Sequence, residues 1–289
     1  MKITYLGTAA AEGVPAMFCN CPTCQAAKKL GGRELRSRSQ IIIDNTLGVD
    51  FPPDAFYHAL RFGVDLSAIG HLLVTHSHMD HFYAHDFILR GYKYSYQHTS
   101  PVLHIYGNEQ VQAVFDECTR REMRSDVKDK ITMSAIKPFE PYTVGAYTVT
   151  AFPAVHSVQE QAFLFLIERE GKGYLHLYDT GMPPMEIFEY LQKEGKKVQL
   201  VSLDCTFVDT PPPHSNRHMG VQENLQVMHL LKSYGVADGN TKFVITHFSH
   251  NSAPFTERLS EIESNTDLSL RTTVWRLKFN QKRQQRAVL

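Results

Sequence analysis

Four side chains of the kinds that bind metal ions occur within six residues, directly after a short apolar segment. The segment 71–75 predicts a buried strand, and the chain continues as Thr75-His76-Ser77-His78-Met79-Asp80-His81. Imidazole and carboxylate groups are ligands that Zn, Mn and Fe accept. Because buried polar groups without a partner cost free energy, the pattern favours a metal site at a strand end over a polar surface loop that contains histidines by chance.

Three further candidate ligands each follow a predicted strand. They are His156, Asp179 and His247, which stand after apolar segments that end at 155, 178 and 246. A lone histidine at a strand end is more often a hydrogen-bonded structural residue than a ligand, so their shared placement is the informative feature. With the first four they make seven ligands, which are enough for two ions that share one bridging carboxylate.

Composition limits the expected partners and location of the protein. In 289 residues, 30 Lys and Arg balance 30 Asp and Glu, so no overall positive field attracts a polyanion, and we do not expect nucleic acid as a partner. No segment approaches the roughly 20 apolar residues of a membrane-spanning helix, and the first residues enter a strand without the features of a signal peptide. We expect a cytoplasmic protein without a membrane partner. The oligomeric state stays open, with a homodimer as one option.

Three of the five cysteines are clustered near the amino terminus, as Cys19, Cys21 and Cys24. Thiols stay reduced in the cytoplasm, so this spacing favours a metal site over a disulfide. The alternative is a loop whose reduced thiols bind nothing. Cys118 and Cys205 lack ligand spacing and are expected to be small buried apolar side chains.

The pattern of apolar residues predicts many strands with interspersed helices. The predicted strands are 3–6, 39–44, 71–75, 102–107, 147–152, 162–167, 174–178, 198–203, 242–246 and 272–279. The predicted helices are 24–30, 82–92, 109–123, 184–194 and 222–234. Without a linker or an internal repeat, this order predicts one α/β domain over 1–289, built on two facing sheets. The basic tail 280–289 is expected to be a solvated terminus.

The His motif and the later strand-end ligands resemble the metallo-β-lactamase-fold hydrolases, over nearly the whole chain. The resemblance implies an αββα four-layer sandwich, an α/β (α+β) fold with two divalent ions at one edge. It implies that His76, His78 and His156 hold the first ion and that Asp80, His81 and His247 hold the second, with Asp179 as the bridge. The metal is left open among Zn, Mn and Fe.

The cysteine loop narrows the resemblance. The segment 7–15 (GTAAAEGVP), followed by Cys19-x-Cys21-x-x-Cys24, resembles the phosphoribosyl 1,2-cyclic phosphate phosphodiesterases of phosphonate breakdown. The resemblance implies a structural zinc loop at 19–24, with His250 as the fourth ligand, and a small phosphorylated substrate. Such a Cys₃His site is closed and tetrahedral, so its role would be stability.

The same resemblance implies catalytic roles for His218 and Asp80. His218 is expected to protonate the leaving alkoxide, although a surface-loop histidine or His214 of the same loop remains an alternative. Asp204 and Asp44 end predicted strands and are expected either to orient ligand imidazoles or to cap turns.

Other functions share parts of this pattern. A transfer-RNA 3′-processing nuclease has the His motif but fits poorly with zero net charge, and a lactamase or thioesterase does not explain the cysteine loop. A low-activity metal-binding protein of a cofactor pathway remains a further alternative. The stretch 115–141 looks longer than a minimal family member needs. Its basic residues are expected to form a solvated face rather than an anion-binding mouth; they are Arg120, Arg121, Arg124 and Lys128.

Overall fold

Two seven-stranded sheets form the centre of the described part of the molecule. The computed structural model describes residues 1–210 and 216–270, together with the backbone of 275–278. The first sheet has the order β14-β1-β2-β3-β4-β5-β6, with β1 (Lys2–Gly7), β2 (Gln40–Ile43), β3 (Leu47–Val49), β4 (His71–Leu73), β5 (Leu103–Gly107), β6 (Ile131–Ala135) and β14 (Trp275–Lys278). The second has the order β13-β12-β11-β10-β9-β8-β7, with β7 (Pro141–Val144), β8 (Tyr147–Pro153), β9 (Phe163–Arg169), β10 (Lys172–Leu177), β11 (Leu200–Asp204), β12 (Lys242–Thr246) and β13 (Leu268–Leu270).

Helices cover the outer faces of both sheets. They are α1 (Pro22–Leu30), α2 (Ala55–Phe62), α3 (Glu109–Thr119), α4 (Ser125–Lys128), α5 (Met185–Lys193), α6 (Val221–Ser233) and α7 (Thr256–Asn265). Strand β9 is buried on both faces and reads as a continuous apolar run, as expected for a central strand between two layers. Phe163 and Phe165 join the cluster between the sheets, and Leu164 and Leu166 join the cluster under α5 and α6. The four layers confirm the expected αββα sandwich.

The carboxyl ends of the parallel strands meet at one edge of the sandwich. Strands β3 to β6 are parallel to one another, and so are β10 to β13. In α/β sheets, ligands bind at this edge because every such strand delivers its next residue there. The loops after β4, β8, β10 and β12 carry the seven candidate ligands.

Two parts of the predicted secondary structure need correction. The predicted helix 82–92 is wrong, since the segment is a 3₁₀ helix over Ala84–Leu89. Its start is fixed by an extended bridge, in which Tyr83 N–H donates to Phe51 O at 2.7 Å, so the chain cannot enter an α-helix at 82. The prediction also lacks the short strands β3, β6, β7 and β13 and the helices α2, α4 and α7.

Strand β14 lies within the predicted strand 272–279, and the tail 280–289 lies outside the described residues. Within the described residues, no helix is long and apolar enough to cross a membrane.

Candidate metal centre

Three histidines and one aspartate form the first cluster at the strand edge. The Nε2 atom of His76 lies 2.8 Å from Nδ1 of His78, which lies 3.2 Å from Nε2 of His156. Asp179 closes the group, with Oδ2 at 3.4 Å from His76 Nε2 and Oδ1 at 3.1 Å from His156 Nδ1. One ligand atom of each residue lies within 4.8 Å of those of the other three, which is the convergence that a single ion requires.

A second cluster shares Asp179 with the first. Its other members are Asp80, His81 and His247, all buried. The Nε2 atom of His81 lies 3.1 Å from Asp80 Oδ2 and 3.0 Å from Asp179 Oδ2. His247 Nε2 lies 3.9 Å from the same Asp179 oxygen. The shared carboxylate joins the two clusters into one site.

The chemistry of these atoms fits divalent cations. Among the seven candidate ligands, four buried atoms make no hydrogen bond: Nε2 of His81, Nδ1 of His156, Oδ1 of Asp179 and Nε2 of His247. Buried polar atoms are normally hydrogen-bonded, and exceptions need an explanation. Imidazole nitrogens and carboxylate oxygens suit Zn, Mn and Fe equally, so the donor set fits an ion without selecting one.

The backbone at this edge adopts conformations that most residues avoid. Asp179 has φ 49°, His247 has φ 63° and Asp50 has φ 62°. Non-glycine residues are uncommon in this left-handed region, although Asp and His are enriched there. Such strain persists where the surroundings enforce it, most often at functional sites. Here the positive φ turns each side chain inward at a strand end.

Carboxylates behind the candidate ligands hold the imidazole rings. Asp50 Oδ2 lies 2.6 Å from His81 Nδ1, and Asp50 also accepts hydrogen bonds from Thr75 N–H at 2.8 Å and from its hydroxyl at 3.0 Å. Asp204 Oδ2 lies 3.3 Å from His247 Nδ1. Partners of this kind fix the tautomer and orientation of metal-binding histidines. Asp204 therefore has the orienting position expected from the sequence.

Asp50 and Thr206 contact ligand imidazoles from behind, and neither was among the residues predicted from the sequence. Asp50 follows β3, a strand of three residues that the sequence did not predict, so the strand-end rule that selected Asp179 could not select it. Thr206 Oγ1 lies 2.9 Å from His247 Nδ1, but no pattern in the sequence singles out this threonine.

Asp44 does not belong to the site. Its carboxylate accepts hydrogen bonds from Lys2 N–H at 2.6 Å, from Tyr147 OH at 2.9 Å and from Arg169 at 3.0 Å. Strand β2 runs antiparallel to β3, so its carboxyl end points to the edge away from the metal site. The expectation that Asp44 orients a ligand is therefore wrong.

Charges within the cluster compensate one another. Burial lowers the pKa of His81, but Asp80 and Asp50 outweigh it and raise this pKa well above its ordinary value. Burial raises the pKa of Asp179, but His247 and His81 outweigh it and hold this pKa well below its usual range. The protein alone thus neutralises its carboxylates with imidazolium groups. The same carboxylates and imidazoles would hold a divalent cation after the imidazolium groups lose their protons, so metal affinity would depend on pH.

His218 lies beside the shared aspartate. Its Nδ1 atom lies 3.1 Å from Asp204 Oδ2 and 3.2 Å from Asp179 Oδ1, and its ring stacks on that of His247 with 5.8 Å between centroids. Burial lowers its pKa, but Asp204 and Asp179 outweigh it and raise this pKa to about 9. The ring is therefore protonated at neutral pH. The competing His214 lies outside the described residues.

A cavity of about 580 Å³ opens onto both clusters. Its described wall includes Glu12, His78, Asp80, His156, Asp179, Thr206, Phe207, His218, His247, Ser249 and Asn251. This volume is typical of small-molecule sites. The basic residues of 115–141 are not among these lining residues: Lys128 Nζ pairs with Asp116 at 3.0 Å and Arg124 Nε with Asp126 at 2.9 Å, on exposed side chains.

The three clustered cysteines converge on His250. The Nδ1 atom of His250 lies 3.4 Å from Sγ of Cys21 and 3.4 Å from Sγ of Cys24, and Cys19 completes the group. Cys21 also caps the amino terminus of α1. A hydrogen bond from the Cys24 backbone lowers the pKa of Cys21 to about 6, whereas burial raises the pKa of Cys24 to about 11. Three sulfurs and one imidazole fit a closed zinc site.

The fold and the site together define a metallo-β-lactamase-fold hydrolase, as the resemblance implied. The chain belongs to the beta-lactamase superfamily, because the model of the beta-lactamase superfamily domain matches residues 41–248. No curated protein matches the sequence significantly.

Many solved structures share this fold, including a diphosphatase, PqqB and a tRNase Z. A diphosphatase from the PhnP family is 18% identical, with a TM-score of 0.71 over 96% of this chain and 98% of that one. Zn²⁺-bound PqqB from Methylobacterium extorquens is 18% identical, with a TM-score of 0.69 over 96% and 100%. The short form of human tRNase Z is 18% identical, with a TM-score of 0.63 over 87% and 94%. At this identity, the likeness establishes the fold alone.

Proposed function

We propose that this protein is a two-metal phosphodiesterase that hydrolyses a small cyclic phosphodiester, with phosphoribosyl 1,2-cyclic phosphate as the favoured substrate. The observation that carries the proposal is the pair of ligand clusters that share Asp179 and open, beside His218, onto one small cavity. The likeness of the fold to a PhnP-family diphosphatase supports a phosphoryl substrate.

In this proposal, each candidate ligand has one role. His76, His78 and His156 hold the first divalent ion, Asp80, His81 and His247 hold the second, and Asp179 contacts both. When bound, two such ions supply Lewis acidity and a water nucleophile that loses its proton near neutral pH. The site metal is Zn, Mn or Fe, and a separate structural zinc binds to Cys19, Cys21, Cys24 and His250.

His218 supplies the proton for the leaving alkoxide. In the metal-free protein Asp204 and Asp179 raise its pKa to about 9, and their contacts with Nδ1 leave Nε2 as the atom that can donate to the leaving group. A positioned general acid of this kind contributes typically about 10² to 10⁴ in rate. Asp80 is the second catalytic residue of the proposal: its buried carboxylate lines the cavity and is a ligand of the second ion.

The size of the cavity favours a small substrate over a nucleic acid. A cavity of about 580 Å³ matches small-molecule sites. The likeness to tRNase Z keeps the nuclease as a second candidate. The likeness to PqqB keeps a low-activity binding protein as a third, although seven convergent ligands favour catalysis.

The test compares substrates under different metals. Purified protein, with its bound metals quantified, is assayed with a chromogenic phosphodiester, a ribose cyclic phosphate, a β-lactam and a thioester under Zn, Mn and Fe. We expect turnover of the phosphodiesters alone, and its loss in Asp80→Ala with the fold intact. Turnover of the lactam or the thioester instead, or full activity in Asp80→Ala, would reject the proposal.

The remaining expectations about setting are part of the same proposal. Cys19, Cys21 and Cys24 must stay reduced to bind zinc, which favours the reducing cytoplasm as the location. The expected partner is a small phosphorylated substrate, and neither a membrane nor a nucleic acid. We retain the homodimer as a hypothesis, which light scattering would test.

A further inference from the structure

Glu160 accepts four hydrogen bonds from two separate segments of the chain. Its Oε1 and Oε2 atoms lie 3.1 and 3.0 Å from the backbone N–H of Ser77, and the Ser77 hydroxyl donates to Oε1 at 2.7 Å. The amide Nδ2 of Asn108 donates to Oε2 at 2.7 Å. A half-buried carboxylate with this many donors has a fixed position.

Ser77 and Glu160 lie on the loops after β4 and after β8, which carry the three histidines of the first cluster. Ser77 stands between His76 and His78, so its backbone sets the direction of both side chains. Glu160 lies four residues after His156, on the loop that leads into β9. One carboxylate therefore ties together the loops of all three histidines. The backbone bond from Phe163 N–H to Thr75 O at 2.8 Å marks the same junction.

The second cluster is oriented differently. His81 and His247 meet the carboxylates of Asp50 and Asp204 through their Nδ1 atoms. The ring of His78 is exposed, and its hydrogen bonds run to His76 and His156, which are themselves candidate ligands. Its position therefore depends on the backbone of its loop, which Glu160 holds.

Asn108 fixes the other side of the carboxylate. Its Oδ1 accepts the Val111 N–H at 2.9 Å and so caps α3, while its Nδ2 donates to Gln161 O at 2.8 Å as well as to Glu160. Through Asn108, the Glu160 carboxylate is connected to the amino terminus of α3 as well as to the two loops.

We propose that Glu160 is a positioning residue that sets the geometry of the His76–His78–His156 metal position by clamping Ser77 to the His156 loop. The inference rests on the binuclear site of the proposed function but not on its substrate. Outer partners of metal ligands typically contribute about 10- to 100-fold in metal affinity. We expect Glu160→Gln to lower the metal affinity of the His76–His78–His156 position by a factor in this range.

The test measures metal occupancy in the holo protein. Crystals of the wild type and of Glu160→Gln are loaded with Mn²⁺, and anomalous scattering gives the occupancy of each position; chelator competition gives the affinities. Glu168→Gln is the matched control, because Glu168 lies on β9 and accepts Lys196 Nζ at 2.8 Å, outside both clusters. We expect selective loss at the three-histidine position in Glu160→Gln and unchanged occupancies in Glu168→Gln.

Two results would overturn the proposal. One is unchanged affinity at the three-histidine position. The other is an equal loss at all positions, together with a lower unfolding temperature of the metal-free variant, since this indicates a general structural role. If Glu160→Gln does not fold, Ser77→Ala decides, because it removes only the hydroxyl bond and should cause a smaller loss at the same position. If the wild type does not hydrolyse phosphodiesters, the proposed function is rejected. The metal occupancies can still be measured and still test the role of Glu160.

Discussion

The two candidate metal sites each take one histidine from the loop after β12, but they differ in where their other ligands come from and in their access to a cavity. His247 belongs to the binuclear cluster and His250 to the cysteine cluster. The first site collects its ligands from strand ends of both sheets, whereas the second takes three of its four from the segment 19–24. The first opens onto a cavity, and the second consists of four side chains that would suffice for one closed, four-coordinate ion. A reactive site needs ligands held by a rigid frame, while a closed site needs only a local loop and one distant anchor.

The two sites also differ in what surrounds the ligands. Asp50, which has a φ of 62°, and Asp204 contact the imidazoles of His81 and His247 from behind. The cysteine cluster is arranged by local bonds instead, such as Ala16 N–H to Cys24 Sγ at 3.3 Å. The sites still touch through Glu12, which bonds Ser249 Oγ at 2.5 Å, lies 3.9 Å from His250 Nε2 and lines the cavity. The cysteine site thus supports one wall of the binuclear site.

The largest expected effect comes from the shared carboxylate. Asp179→Asn removes one charge from both clusters, so we expect phosphodiester turnover to fall by more than about 100-fold, beyond the range for outer partners. The cysteine zinc should remain at one ion per chain, as measured by elemental analysis. Loss of that zinc together with activity would show that the two sites are not separable.

A smaller effect is expected from the aspartate behind His81. Asp50→Asn should weaken metal binding and turnover by about 10- to 100-fold, because the ring loses its carboxylate partner. Asp44→Asn is the matched control: it also follows a strand of the first sheet but lies at the opposite edge. Steady-state kinetics and chelator competition should show no change in Asp44→Asn. Equal losses in both variants would contradict the assignment.

The cysteine site should affect stability more than chemistry. Cys24→Ser is expected to lose the structural zinc, whose binding contributes to folding free energy. A loss of about 3 kcal/mol corresponds to a drop of about 5 °C in Tm for a chain of 289 residues, at about 2.1 cal/mol/K of unfolding entropy per residue. Turnover per folded molecule at low temperature should change by less than about tenfold. A Tm equal to that of the wild type would show that the site is not structural.

The thiols of the cysteine site should react at different pH values in the metal-free protein. The thiolate is the nucleophile, and the pKa of Cys21 is lowered to about 6 while that of Cys24 is raised to about 11. As pH rises through about 6, Cys21 should become alkylated by iodoacetamide while Cys24 stays protonated and unreacted. Mass spectrometry of peptides from samples treated between pH 5 and pH 8 measures this. Equal modification of both thiols at pH 7 would contradict it.

The sequence predicts the candidate ligands at the strand ends better than the residues that hold those ligands in place. Asp179 and His247 follow parallel strands, so their position after an apolar run already indicates that they lie together. Asp44 follows a strand as well, but β2 runs antiparallel to its neighbour, and only the sheet topology reveals the reversed direction. Asp50 also follows a strand that is parallel to β4, but β3 has only three residues and was not predicted, so the sequence did not single out this aspartate.

Other supporting residues could not be found from the pattern. Glu160 acts on the backbone N–H of Ser77, which every residue possesses, and its partner is 83 residues away. Thr206 reaches His247 across 41 residues. The helix expected over 82–92 failed because a tertiary bridge at Phe82 outweighs the local apolar spacing. Contacts that depend on tertiary placement, and not on residue type, therefore escaped the sequence reading.

Selective removal of metal tests the central distinction most directly. Holo protein is treated with a chelator at neutral pH, and metal content and phosphodiester turnover are followed together before and after Mn²⁺ is added back. We predict that two ions and all activity are lost, that one zinc per chain remains on the cysteine cluster, and that two Mn²⁺ ions restore turnover. Full activity in a protein that retains only the cysteine zinc would contradict the account.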